Sequence, residues 1–164
     1  MKSPHLLNLG NARKVKQNLS AILDAPAMDC IEAEIEANVR ALLALGIRHY
    51  RFAYRQSAPN WRQKVSRLYY AAYNSGRAVR LYVAGDYSTE VKDHQNVDKM
   101  PDDFPNRARY VNQLPILRED RNACDYDHLA TASDLALGTH DSSELVKDFL
   151  DDVTTYLRGK GLTL

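Results

Sequence analysis

The chain has 164 residues, 45% hydrophobic and 26% charged, with a formal net charge of +1, which suits one ordinary globular domain with enough material for a core. No run approaches the roughly 20 apolar residues of a membrane span, and the apolar patch in the opening "MKSPHLLNLGNARKVK" is too short for a secretion signal. Cys30 and Cys124 are far apart and belong to no CxxC; the expectation is a cytoplasmic protein with reduced thiols, no structural zinc and no cofactor.

Residues 1–28 read as an N-terminal extension, with a short helix over 11–24 ending before Pro26. Asp29 and Glu32 form a capping-box-like start for a second helix. Ile31, Ile35, Val39, Leu42 and Leu43 keep helical spacing, and this helix is expected to run through Gly46 to Tyr54. After the loop "QSAPNW", Asn60 is placed to cap a third helix, "WRQKVSRLYYAAYNSGRAVRLYVAG", stopped by Gly85. Its small residues Ala71, Ala72, Ser75, Gly76 and Ala78 allow close approach of a neighbour, so it is expected to be the central helix.

A short helix is expected from Ser88 to Met100, in a polar stretch. Pro105 suits the first turn of the next helix, and Pro115 should kink or divide it. A loop surrounds Gly138. Asp141 and Glu144 then cap a last helix whose Leu145, Phe149, Val153 and Leu157 recur every four residues before Gly159. The sum is an all-α, four- to five-helix bundle over residues 29–160.

Charge is uneven along the chain. Residues 48–80 hold eight basic and no acidic side chains, and the rest from Leu81 carries a balance of −7. The basic segment interleaves arginine with His49, Tyr50, Tyr54, Trp61, Tyr69 and Tyr70. It is either a phosphate-contacting, base-stacking surface or a solvated face offset by the acidic half.

The stretch "RNACDYDH" raises a sharper question. Ala108, Val111, Leu114, Leu117, Arg121, Cys124 and His128 follow helical spacing, so an apolar stripe turns polar at Arg121. Arg121 and His128 would face the same way, roughly 10 Å apart along the axis. Histidine suits proton transfer near neutrality, and arginine offers a planar fork to phosphate. Such a pair could cleave RNA without metal: the 2′-hydroxyl attacks the adjacent phosphate, leaving a 2′,3′-cyclic phosphate and a 5′-hydroxyl. Alternatively Asp125, four residues after Arg121, ties the arginine and histidine into a local network.

The helix "SRLYYAAYNSGRAVRLYVAG", then "REDRNACDYDH" and a capped C-terminal helix, resembles HEPN domains (higher eukaryote and prokaryote nucleotide-binding) over residues 60–157, and more loosely from Asp29. The family's catalytic signature is Arg, four to six residues, then His, with a polar residue after the arginine. Arg121, Asn122 and His128 fit it. The resemblance implies a two-fold homodimer joining two motifs in one cleft. It also implies a metal-independent ribonuclease acting on RNA such as tRNA or mRNA, as a toxin or in phage defence. Arg121 and His128 would be catalytic, with Asn122 and Asp125 supporting, and Arg67, Tyr70, Asn74 and Arg77 are candidate RNA contacts. One branch pairs with a nucleotidyltransferase antitoxin that modifies a tyrosine two residues after the histidine. Position 130 is Ala here, and Tyr126 lies inside the motif. The other reading is a non-catalytic nucleotide-, RNA- or protein-binding module, accessory to a separate nucleotidyltransferase.

Overall fold

The computed structural model describes residues 10–88 and 90–164; the first nine residues of the expected extension lie outside them. The described chain is all-α, with helices α1 (Ala12–Leu19), α2 (Ala25–Tyr54), α3 (Trp61–Ala84), α4 (Arg107–Tyr126) and α5 (Gly138–Gly159). Among the described residues, no helix is long and apolar enough to cross a membrane.

α3 is the centre, packed by α2, α4 and α5. Val65, Leu68, Tyr69, Ala71, Ala72, Ala78, Val79 and Leu81 on it are wholly buried. Its small residues let α2 come close. A Cβ built on Gly46 of α2 would sit 2.2 Å from Ser75 Oγ and 2.9 Å from the Ala71 carbonyl. The α5 stripe Leu145, Phe149, Val153 and Leu157 faces the same core.

Helix boundaries follow local chemistry, with several departures from expectation. Asn11 caps α1 through Lys14 N, and α1 stops at Leu19 rather than 24. α2 starts at Ala25, not Asp29: Asp24 accepts from Ala27 N and Pro26 sits in the first turn. Asp29 and Glu32 are therefore inside the helix. Asn60 makes no side-chain cap; a 3₁₀ turn over Ala58–Asn60 leads into α3 instead. Gly85 ends α3 at φ +69, where a Cβ would also meet Arg13 N at 2.3 Å. The same glycine's carbonyl accepts from Ala12 N at 2.9 Å, docking α1 on the end of α3.

The helix expected over 88–100 is reduced to a 3₁₀ turn, Val91–Asn96. Its Asp93 is 2% exposed and accepts from Arg80 Nη2 at 3.1 and 3.0 Å, from Tyr73 at 2.8 Å and from Asn96 at 3.2 Å. Side chains pin this turn, so a regular ladder is not needed to hold it. Pro115 does not divide α4, which is continuous; buried Leu114 and Leu117 on either side keep it on the core. α5 begins at Gly138, before the expected Asp141. Buried Asp120 of α4 accepts from Ala136 N at 2.8 Å and Leu137 N at 3.0 Å, fixing the approach to that helix from across the bundle.

Candidate functional site

An open cleft of about 890 Å³ lies between the α2–α3 pair, the 3₁₀ turn and α4. Four arginines line it (Arg67, Arg77, Arg118 and Arg121), against one carboxylate side chain, Glu90. Tyr70, Tyr87 and Tyr126 supply aromatic faces, buried Tyr69 and Tyr73 border the cleft, and His49 and His94 supply imidazoles.

Tyr70 is the hub. Its ring is 5.8 Å from that of His49, 5.5 Å from Tyr69 and 6.2 Å from His94, centroid to centroid. Its hydroxyl accepts from Arg121 Nη2 at 2.7 Å. Arg121 is held on several sides. Nη1 donates to Asn122 Oδ1 at 3.1 Å and Tyr126 Oη at 3.4 Å. Nε is 2.8 Å from Asp125 Oδ2, although the N–H is not directed at it. The guanidinium also lies 5.2–5.7 Å from the rings of Tyr69, Tyr70 and Tyr126, within cation–π range. Burial opposes its charge, but the oxygens of Tyr70, Asp125 and Tyr126 outweigh that, and its pKa is raised. A permanent cation thus sits in an aromatic cage with its side chain 13% exposed.

The imidazoles are biased the other way. Burial, then Arg67 and Arg48, pushes His49 below the usual histidine range. Burial and Arg121 do the same to His94, with Asp93 pulling weakly upward. Both surroundings favour the uncharged ring. His94 stacks on Tyr73 with centroids 4.3 Å apart at 17°, and its Nδ1 is 2.8 Å from the Tyr69 hydroxyl. Beneath it, Arg77 donates to the Ser88 carbonyl at 2.6 Å and lies 4.4 Å from the Tyr87 ring centroid.

Of the residues nominated from sequence, Arg121, Asn122, Arg67, Tyr70, Asn74 and Arg77 all line this cleft. Asp125 stands just behind Arg121. His128 is not among the lining residues. The shared helical face expected for Arg121 and His128 is corrected: α4 ends at Tyr126, Asp127 is extended, and His128 sits in an exposed turn. The cause is Arg62 of α3. Its Nη1 donates to the carbonyls of Cys124 at 2.9 Å, Asp127 at 2.7 Å and Ala123 at 3.4 Å, and its Nη2 donates to that of Ala130 at 2.5 Å. Asp127 N still bonds the Ala123 carbonyl at 3.1 Å, and from Cys124 onward the guanidinium stands where the N–H groups of a further turn would have been. Asp127 Oδ1 closes the turn by accepting from Leu129 N at 2.9 Å. Tyr126 and Leu129, either side of His128, are 73% and 77% exposed.

His94, Tyr73 and Arg118 are cleft residues that sequence reasoning did not nominate, and His49 and Tyr69 entered it only as part of the basic, aromatic run. The tyrosines of "SRLYYAAYN" carry a readable signal, since positions 69 and 73 are one turn apart. Nothing local marks His94. Cys124 is buried and its thiol is pushed up to about 12 by burial, which leaves it unreactive. Among the described residues, no three His, Cys, Asp or Glu side chains come together as a metal-binding group. No protein-family model, curated protein or solved structure significantly matches the chain.

Proposed function

We propose that the protein is a metal-independent endoribonuclease of the HEPN kind, a toxin or phage-defence effector that takes RNA into this cleft. The observation that supports the reading is the juxtaposition of a caged, permanently charged Arg121 with tyrosine rings, three more arginines and two imidazoles. Guanidinium groups suit phosphate oxygens, and tyrosine faces suit unpaired bases. Arg121 would brace the scissile phosphate and the charge that grows on it. Asn122, bonded to Arg121, would hold the fork in orientation.

His128 would act in proton transfer from a second copy. It lies outside its own cleft, and the exposed Tyr126 and Leu129 beside it offer apolar contact for a two-fold partner. The 2′-oxygen bonds to phosphorus as the bond to the 5′-oxygen breaks. One imidazole removes the 2′ proton, and a protonated one gives its proton to the leaving 5′-oxygen. tRNA and mRNA are the substrates to try, and an antitoxin or a nucleotidyltransferase is the partner to look for.

The second reading is a nucleotide- or RNA-binding module without catalysis. It is favoured by one observation: Nη1 and Nη2 of Arg121 already bond to its own chain. An RNA cleavage assay in EDTA separates the two, comparing wild type with folded Arg121→Ala and His128→Ala. The ribonuclease reading expects cyclic-phosphate and 5′-hydroxyl ends from wild type and their loss in both variants. Intact RNA with wild type, alongside retained binding, selects the module.

A further inference from the structure

His94 enters the cleft from a turn far from the Arg121 motif, and its two nitrogens have different surroundings. Nδ1 faces the Tyr69 hydroxyl at 2.8 Å. Tyr69 is wholly buried, and among the described residues its hydroxyl has no other hydrogen-bond partner. A buried hydroxyl left without an acceptor is costly, so this O–H donates to Nδ1. The proton of a neutral imidazole then resides on Nε2. Nε2 has no hydrogen-bond partner among the described residues, while the ring itself lines the cleft.

We propose that His94 is a phosphate-oxygen donor of the cleft, its Nε2–H held in place because the Tyr69 hydroxyl occupies Nδ1. This rests on the reading of the cleft as an RNA site and adds a residue outside the Arg–His motif. The assignment makes His94 a donor and not a base, since its free nitrogen already carries the proton.

The surroundings agree. Tyr69, Tyr70, Tyr73 and Arg77 face it from α3, Arg118 and Arg121 from α4, and Asp93 from its own turn. Three guanidinium groups against one carboxylate, itself taken by Arg80, disfavour an imidazolium. Stacking on Tyr73 fixes the ring plane. A neutral N–H so fixed can meet an anionic oxygen with little reorganisation.

The test needs no cleavage. A fluorescent 2′-O-methyl RNA oligonucleotide has no free 2′-hydroxyl, so its binding can be followed by anisotropy at pH 7.5. His94→Ala should weaken binding about tenfold, whereas His94→Gln, whose amide also donates, should recover most of it. In ¹⁵N-edited spectra of the wild type, Nε2 should be the protonated nitrogen. A protonated Nδ1, an Ala variant that binds like wild type, or a Gln variant as weak as Ala would each overturn the assignment, as would failure of wild type to bind the probe. If wild type binds the probe with this pattern but leaves ordinary RNA intact, the ribonuclease reading falls and the donor assignment stands. If RNA is cleaved and His94→Ala binds the probe like wild type, the reverse holds.

Discussion

Removing the Arg62 guanidinium should loosen the turn that carries His128 before it harms the rest of the bundle. Four carbonyls converge on this one side chain, three of them at 2.9 Å or less: Cys124, Asp127 and Ala130. The Trp61 ring covers it, with the guanidinium carbon 4.7 Å from the ring centroid. Two of these bonds are part-buried and the one to Asp127 is exposed, so a net value of about 1 kcal/mol each, below the range for a buried charged donor, is appropriate, or about 3 kcal/mol for the three. For a chain of this size, Arg62→Ala should lower Tm by roughly 6–12 °C. Arg62→Lys keeps the charge at the helix end but loses the fork, and should recover about a third. Calorimetry reads the global loss. Amide hydrogen exchange should show the last turn of α4 and Leu129 N exchanging faster while the core of α3 keeps its order. A Tm shift under about 2 °C, with unchanged exchange at Leu129, would refute the claim that Arg62 sets where α4 ends. If RNA is cleaved, Arg62→Ala should add nothing to the loss in a His128→Ala background, because both act through one group.

The close contact of α2 with α3 predicts that Gly46→Ala is destabilising. Overpacking against Ser75 Oγ and the Ala71 carbonyl costs about 1–3 kcal/mol, and the gain in helix propensity returns up to ~1. Gly159→Ala, with nothing within 4 Å, should be neutral or slightly stabilising, and thermal melts compare the two. Burial alone would raise the Asp93 carboxyl pKa, but Arg80 and the hydrogen bonds from Tyr73, Asn96 and Arg80 outweigh it and hold it below the carboxylate range. A depressed folded pKa gives stability that is present above the unfolded value, near ~3.9, and lost as pH falls through the folded one. Asp93→Asn should therefore flatten the acid limb of a urea-melt pH series, and it should cost about 3–5 kcal/mol at neutral pH by stranding Arg80 and Arg77. A thiol titration of folded protein at pH 8 should find exposed Cys30 reactive and Cys124 protected, with the second thiol released on denaturation.

The helical architecture was legible because its signals are local. Apolar spacing from Ile35 to Leu43 and from Leu145 to Leu157, small residues along α3, and Gly85 as a stop each concern residues within a few turns of one another. The candidate contacts Arg67, Tyr70, Asn74 and Arg77 were also readable as a basic, tyrosine-rich run, and all four line the cleft. Arg121 stood out as a charge on an apolar stripe.

What the tertiary structure decided was pairing at a distance. α4 stops at Tyr126 because an arginine about sixty residues earlier takes its carbonyls, which no periodicity within α4 contains. α5 is approached through Asp120 of another helix rather than only through its own capping residues. His94 lies in a polar stretch with no pattern of its own, and only packing of that turn onto α3 sets its Nδ1 against Tyr69. Periodicity records which face of a helix is buried. It does not record which side chain on another element will be there to meet it, and hydrogen-bond partners and pKa shifts depend on that meeting.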